Sequence, residues 1–295
     1  MKFALIGSVD KYNLVDVAAQ LVAVARAHGA EIVADAELAG ALNGVCPVEE
    51  HLETCDAAIA LGGDGTVLKA VHRVGFAGVP VMGVNLGTLG FLAEVPIEEM
   101  DVAIAEIVSG DVVREERSFL VAETAGPRRS LRALNEIVID RRGASHMIQV
   151  DMSVDGMYLN TYIADGIIIS TPTGSTAYSM SAGGPIVSPA SRDLVITPLA
   201  PHALTARPLV VPDSVIITIT AKSNHGSVAL SADGYDYDLA SPADIEIRLA
   251  SSSVTFLRRR GVSNYDVLRA KLLWGKDARG VASKQVFRDR DETGR

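Results

Sequence analysis

Apolar and polar positions fall into two textures along this 295-residue chain. In the first texture, short apolar runs alternate with helical periodicity. Phe3 to Gly7 predicts a strand, Asn13 supplies an N-cap, and Leu14, Val17, Ala18 and Leu21 share one helical face that ends by Gly29. Glu31 to Ala34, Ala57 to Leu61 and Val79 to Val84 predict further strands, with a helix-like run at Val67 to Val74. Pro96 is placed at the first turn of a helix carrying Ile97, Met100, Ile104 and Ile107 and closing near Gly110. Such alternation of strands and helices predicts a mostly parallel sheet covered by helices.

Past Asp111 the periodicity changes. Short β-rich runs follow one another at Ser118 to Thr124, Ala133 to Asp140, Met147 to Val154, Met157 to Ile163 and Gly166 to Ser170. Asp155-Gly156 supplies a two-residue hairpin turn between two of them. Val215 to Thr220, Val228 to Ser231, Ile245 to Leu249 and Val254 to Leu257 continue the series. Closely spaced strands with almost no helix predict an all-β domain, most simply a sandwich. The expected division is an α/β domain over 1–117 and a β domain over 118–259. Tyr265 to Trp274 reads as a helix whose apolar stripe must pack on one of the domains, and 286–295 as a solvated tail.

Composition narrows the partners more than it changes this fold. With 48% hydrophobic and 21% charged residues the chain has the make-up of a globular protein. A net charge of -9 argues against nucleic acid or an anionic membrane as partner, so any phosphate site must be local. Cys46 and Cys55 have no metal-ligand or redox spacing, which suggests a reducing compartment. No signal peptide is read at the N-terminus, and no apolar run approaches the ~20 residues that span a bilayer. A cytoplasmic location is expected.

Candidate chemistry gathers in three stretches. Gly62-Gly63-Asp64-Gly65-Thr66 lies between a predicted strand and a predicted helix, where free helix amides can bind an anion and glycine lets it approach. Asp64 repels phosphate, so a role with a proton or a metal ion is implied, although Asp-Gly and Gly-Gly are also ordinary turn dipeptides. The run from Asp165 to Pro185 is dense in small hydroxyls, with Thr171, Thr173, Ser175, Thr176, Ser179 and Ser181. That suits a polyhydroxylated or nucleotide ligand, or else a flexible surface loop. Asn135-Glu136 opens an apolar strand with two polar groups able to bond an amide-bearing ring and a sugar hydroxyl, although Asn-Glu at a strand start is more often simply a turn. Lys69, early in the helix after Thr66, reads either as a donor-phosphate ligand or as a solvated helix lysine.

In this order, Gly62 to Thr66, Asn135-Glu136, Asp165-Gly166 and Thr171-Pro172-Thr173-Gly174-Ser175-Thr176-Ala177-Tyr178 closely resemble the bacterial NAD kinase family. The resemblance continues through Gly83 to Leu92 and Ala206 to Val210 and so covers most of the chain. It implies a Rossmann-like α/β domain and a β-sandwich, with the segment 260–285 returning to the first domain. The implied reaction moves the terminal phosphoryl group of ATP, or of polyphosphate in some members, to the 2′-hydroxyl of the adenosine ribose of NAD. Carried over by position, Asp64 resembles the general base, and Gly62, Gly63, Gly65 and Thr66 the phosphate turn. Phe91, Asn135, Glu136, Asp165, Thr173, Thr176, Ala177, Tyr178 and Ser181 resemble the NAD pocket. Mg²⁺ or another divalent cation is implied with the donor phosphates, as is a homodimer or homotetramer.

Two positions depart from the pattern. Ile163 stands where some related members have an arginine linked to the choice between NAD and NADH, and Asp233 is followed by Gly234 where some place histidine. Lipid and sugar kinases share the Gly-Gly-Asp-Gly turn and form a second reading; a non-catalytic NAD(P) sensor is a third.

Overall fold

The computed structural model describes residues 1–9, 13–47, 54–87, 89–124, 130–143 and 145–274. Thr88 and everything beyond 274, including the expected tail, lie outside them. The first half runs β1 (Lys2–Ile6), α1 (Leu14–Ala27), β2 (Glu31–Ala34), α2 (Ala36–Ala41), β3 (Cys46–Pro47), β4 (Ala57–Gly62), α3 (Asp64–Arg73), β5 (Val81–Asn85), β6 (Val95–Pro96) and α4 (Met100–Ser109). The strands β5-β4-β1-β2-β3 are parallel neighbours in that order. Every residue of β4 is buried, as its unbroken apolar run requires of a strand covered on both faces. Helix α1 buries Leu14, Val17, Ala18 and Leu21, the predicted face. Asn13 takes the N-cap position at φ 60° without a side-chain cap bond. Pro96 ends β6 instead of opening a helix: its extended ψ of 153° leads into a short 3-10 turn, Ile97–Glu99, and α4 begins only at Met100.

The second half runs β7 (Val113–Thr124), β8 (Ser130–Ala133), β9 (Glu136–Asp140), β10 (Ile148–Val154), β11 (Met157–Ala164), β12 (Gly166–Ser170), α5 (Tyr178–Ser181), β13 (Asp193–Leu199), β14 (Leu209–Pro212), β15 (Ile217–Lys222), β16 (Ser227–Ala232), β17 (Tyr235–Ala240), β18 (Ala243–Arg258) and α6 (Asn264–Leu272). Asp155 and Gly156 form the predicted hairpin turn at φ 48° and 74°. A six-stranded antiparallel sheet, β14-β13-β12-β9-β16-β17, faces β11-β10-β15-β18 across a shared apolar core that includes Ile139, Ile167 and Leu194 on one side and Val150, Ile219 and Ile247 on the other. This is the predicted sandwich.

The two halves share one sheet. The two runs read separately at Ile245 and Val254 form the single strand β18, with a register shift between Leu249 and Ser253 where Ser251, Ser252 and Ser253 interrupt the apolar pattern. β7 pairs with both parts of β18, from Ile245 to Arg258, and Phe256 pairs with Val81 of β5. The 12-stranded sheet therefore carries the carboxyl ends of β4 and β5 up to the sandwich. In parallel sheets ligands gather at those ends. Among the described residues, no helix is long and apolar enough to cross a membrane.

Candidate active site

Gly62 closes β4, Gly63 is the N-cap of α3, and Asp64 is the first residue of the helix. Thr66 and Val67 already donate their amides to the Gly63 carbonyl, at 2.8 and 3.2 Å, so the helix-start amides left for an anion are those before Thr66. Gly65 is exposed beside them and Thr66 is buried. The Asp64 carboxylate is gripped by the glycine-rich loop that follows β5. Its Oδ1 accepts from the amides of Leu92 at 2.9 Å and Ala93 at 3.0 Å, and its Oδ2 from Phe91 at 2.9 Å. Each carboxylate oxygen has two lone pairs, so Oδ2 keeps one for a further group. Gly90 makes this approach possible, because a Cβ there would overlap Asp64 Oδ1. Asn85 shapes the same loop, accepting from the Gly87 amide at 2.7 Å and donating to the Ala93 carbonyl at 3.2 Å.

Lys69 is tied to the end of β1 and to Asp35. Its Nζ donates to the Gly7 carbonyl at 3.1 Å and lies 3.5 Å from Asp35, which also pairs with Arg73 at 3.2 Å. The solvated-lysine alternative is incomplete, since the ammonium is tied to the end of β1.

In the second half, Asn135 and Glu136 are buried at the start of β9. The hydroxyl-rich loop lies directly against them. Thr171 donates its hydroxyl to the Leu134 carbonyl at 2.6 Å and its amide to the Asn135 carbonyl at 2.9 Å. A Cβ at Gly174 would overlap the Asn135 carbonyl, so only glycine allows this packing. The hydroxyls divide into two sets. Thr171, Ser175 and Ser179 are fully buried and bonded internally, Ser175 to the Pro172 carbonyl at 2.7 Å and Ser179 to Thr197 at 2.9 Å. They hold the loop's shape. Thr176 and Ala177 are half-buried, and Tyr178 and Ser181 on α5 are exposed, so the rim is left to them. Asp165, just before β12, is paired with Arg141 at 3.0 Å, a partner that the sequence did not reveal.

Glu136 has the most unusual environment. Its Oε2 is buried and has no hydrogen-bond partner among the described residues. Burial, and then the negative charge of Asp233, push its carboxyl up to about 8. At neutral pH it is therefore an acid with an O–H to donate. Asp233 lies in the turn between β16 and β17 and accepts from the amides of Leu134 at 2.7 Å, Asn135 at 2.8 Å and Glu136 at 3.2 Å. Sequence reasoning left the part played by this turn open.

A buried ionic cluster joins the two walls. Arg117, 4% exposed, bonds the Thr173 hydroxyl at 3.3 Å and pairs with Glu115 at 3.0 Å. Arg258 pairs with Glu94 at 2.8 Å and Glu115 at 2.6 Å. Burial raises the Glu94 carboxyl against the pull of Arg258, and burial lowers Arg117 against the pull of Glu115. Glu94 follows Ala93 in the Asp64 grip, so the cluster ties that loop to Thr173. Helix α6 closes the side: Val267 and Leu268 line one pocket with Phe91, Leu92, Thr173 and Thr176, and the Lys271 ammonium stands 5.8 Å from the Phe91 ring centroid. Arg117 carried no sequence signal beyond its place in the charged run Arg114 to Arg117.

Both halves of the chain match known family models. Residues 4–112 match the model of the ATP-NAD kinase N-terminal domain, and residues 134–259 that of the ATP-NAD kinase C-terminal domain. An NAD kinase of Bacteroides fragilis is 40% identical over 289 residues, which are 95% of this chain and 100% of that protein. Among solved structures, yeast NADH kinase complexed with NADH superposes with a TM-score of 0.81 at 26% identity, covering 94% of this chain and 89% of that one. An NAD kinase from Archaeoglobus fulgidus in complex with ATP superposes with a TM-score of 0.76 at 25% identity, covering 92% and 99%.

Proposed function

Because the chain belongs to the NAD kinase family, we infer that it transfers the terminal phosphoryl group of ATP to the 2′-hydroxyl of the adenosine ribose of NAD. The observation that carries the site assignment is Asp64. It is a carboxylate at a helix N-terminus, fixed by consecutive amides yet with a lone pair of Oδ2 left over. In the proposed reaction NAD lies along Asn135, Glu136 and the rim of Thr176, Ala177, Tyr178 and Ser181, with Phe91 beside the adenosine and Asp165 toward the nicotinamide end. The free lone pair of Asp64 takes the proton of the 2′-hydroxyl. The hydroxyl oxygen then bonds to the terminal phosphorus as the bridging P–O bond of ATP breaks, giving NADP and ADP. The opening amides of the turn, at Gly63 to Gly65, stabilise the charge on the moving group.

Among the described residues no cluster of three or more His, Cys, Asp or Glu side chains is placed to hold a metal ion. The reading places the divalent cation with the donor's own phosphates, where it neutralises their charge. The proteins named above are NAD or NADH kinases, not lipid or sugar kinases. Incubating the protein with NAD, ATP and Mg²⁺ and coupling the product to an NADP-specific dehydrogenase tests the function. NAD binding without NADP from any donor would favour the sensor reading. Polyphosphate and NADH in the same assay decide donor and acceptor preference, which Ile163 does not fix.

A homodimer or homotetramer is part of the proposal. Met157, Tyr158 and Ile163 on the edge strand β11, and Leu204 in the nearby loop, are exposed at 71, 68, 44 and 91%, where a second copy would cover them. Gel filtration showing an active monomer would overturn this.

A further inference from the structure

Asp233 is an unusual charge to find in an interior. Its side chain is 0% exposed, and the amides of Leu134, Asn135 and Glu136 account for three of the bonds it accepts. The remaining one comes from His72, whose Nε2 lies 2.8 Å from Asp233 Oδ2. A carboxylate only accepts, so Nε2 is the nitrogen that carries hydrogen. The ring is held in that direction by aromatic walls: Phe76 meets it edge-on at 5.0 Å between centroids, and Tyr235 at 4.9 Å.

His72 belongs to α3, the helix that Asp64 opens, roughly 12 Å further along the axis at ~1.5 Å per residue. The other cations of α3 point elsewhere: Lys69 and Arg73 both reach Asp35. The helix is thus pinned on one flank to the parallel sheet, and His72 pins it to the sandwich. We propose that His72 is a positioning residue for the phosphoryl transfer: acting through Asp233, it locks the helix that carries Asp64 to the strand start that carries Asn135 and Glu136. The lock fixes the gap between the carboxylate and the ribose hydroxyl it must meet. The reaction named in this inference rests on the NAD kinase reading, whereas the lock itself does not.

The test compares His72→Phe, which keeps a ring between Phe76 and Tyr235 but has no donor, with His72→Gln, which returns an N–H at a similar reach. Steady-state constants for NAD and ATP are measured well below each protein's Tm. Amide hydrogen exchange at Leu134, Asn135 and Glu136 is measured on the same samples without substrate. In His72→Phe, kcat falls about 10-fold while KM for ATP stays within about twofold, because a misplacement of under 1 Å is enough for such a loss. Exchange at the three amides quickens by about 10-fold as Asp233 loses its fixed partner, and His72→Gln recovers both readouts to within about threefold. A His72→Phe protein with a lower Tm but wild-type kcat and wild-type exchange would reduce His72 to packing and overturn the proposal; so would His72→Gln as impaired as His72→Phe. If the Phe variant does not fold, His72→Met is compared with Gln by the same criteria. A wild-type protein that makes no NADP would remove the kinase reading, and the exchange comparison would still decide the lock.

Discussion

Two aspartates in this molecule are gripped by backbone amides in the same way and differ in what the grip leaves over. Asp64 accepts from the amides of Phe91, Leu92 and Ala93, and Asp233 from those of Leu134, Asn135 and Glu136. The difference lies in the remaining lone pair. At Asp233 it is taken by His72, and the side chain is fully buried. At Asp64 the described bonds leave one lone pair of Oδ2 over, and the residue is half-buried. A carboxylate that has used all its lone pairs can only hold structure; one that keeps a lone pair toward solvent can also accept a proton. The grip is common to both, so reactivity follows from what it leaves over.

The strongest way to break the comparison is to exchange each carboxylate for its amide. Asp64→Asn should lower kcat by at least about 100-fold, the lower end of the range for a positioned general base. Near-wild-type turnover would remove Asp64 from that role. Asp233→Asn should act chiefly on the fold. An amide NH₂ set against backbone N–H groups leaves a buried donor unsatisfied, which costs roughly 1–3 kcal/mol. Thermal or urea unfolding reads this, and an unchanged stability would show that the Asp233 grip does not hold the strand start. Gly90→Ala is a smaller perturbation of the open carboxylate, pushing Asp64 aside without changing its chemistry. We expect about a 10-fold fall in kcat, since small displacements of reacting groups have effects of that order. A wild-type rate would mean that the loop relaxes and that Asp64 does not depend on it.

How much of this was legible in the sequence differs between the grips and their holders. The β4 run and the turn after it could be read directly, because an unbroken apolar strand and glycines around a carboxylate are local signals. The grips could not, since Asp64 and Ala93 are 29 positions apart and Leu134 and Asp233 are 99 apart. Composition also could not separate Thr171, which is spent inside the loop, from Thr176 at its rim. In the fold, β17 was missed because Tyr235 to Ala240 is a largely exposed edge strand with an Asp at every second position early on. Strand β13 was missed because Pro198 lies within it, although it is otherwise buried and apolar. The predicted run from Ala133 breaks at Leu134 and Asn135, where the Asp233 grip replaces ladder bonds.

The finest test of the comparison concerns Glu136, on which the closed carboxylate acts from a distance. Burial first, and the charge of Asp233 second, raise its carboxyl from 4.5 to about 8. In the unfolded chain it ionises near 4.5, so between these values the folded protein holds a proton that the unfolded chain has lost. The resulting stability is complete below pH ~4.5 and is lost as pH rises through about 8, at up to about 1.4 kcal/mol per pH unit. Glu136→Gln lacks this dependence. Unfolding free energies measured from pH 5 to pH 8 should therefore converge toward, or cross, those of the Gln variant as pH rises. KM for NAD should rise above pH ~8 in the wild type, where the donor O–H disappears, and stay level in Glu136→Gln, which keeps an N–H. Parallel pH profiles in the two proteins would show Glu136 already ionised at neutral pH. The field of Asp233 would then end at its own grip, and the closed carboxylate would have no part in the chemistry of the open one.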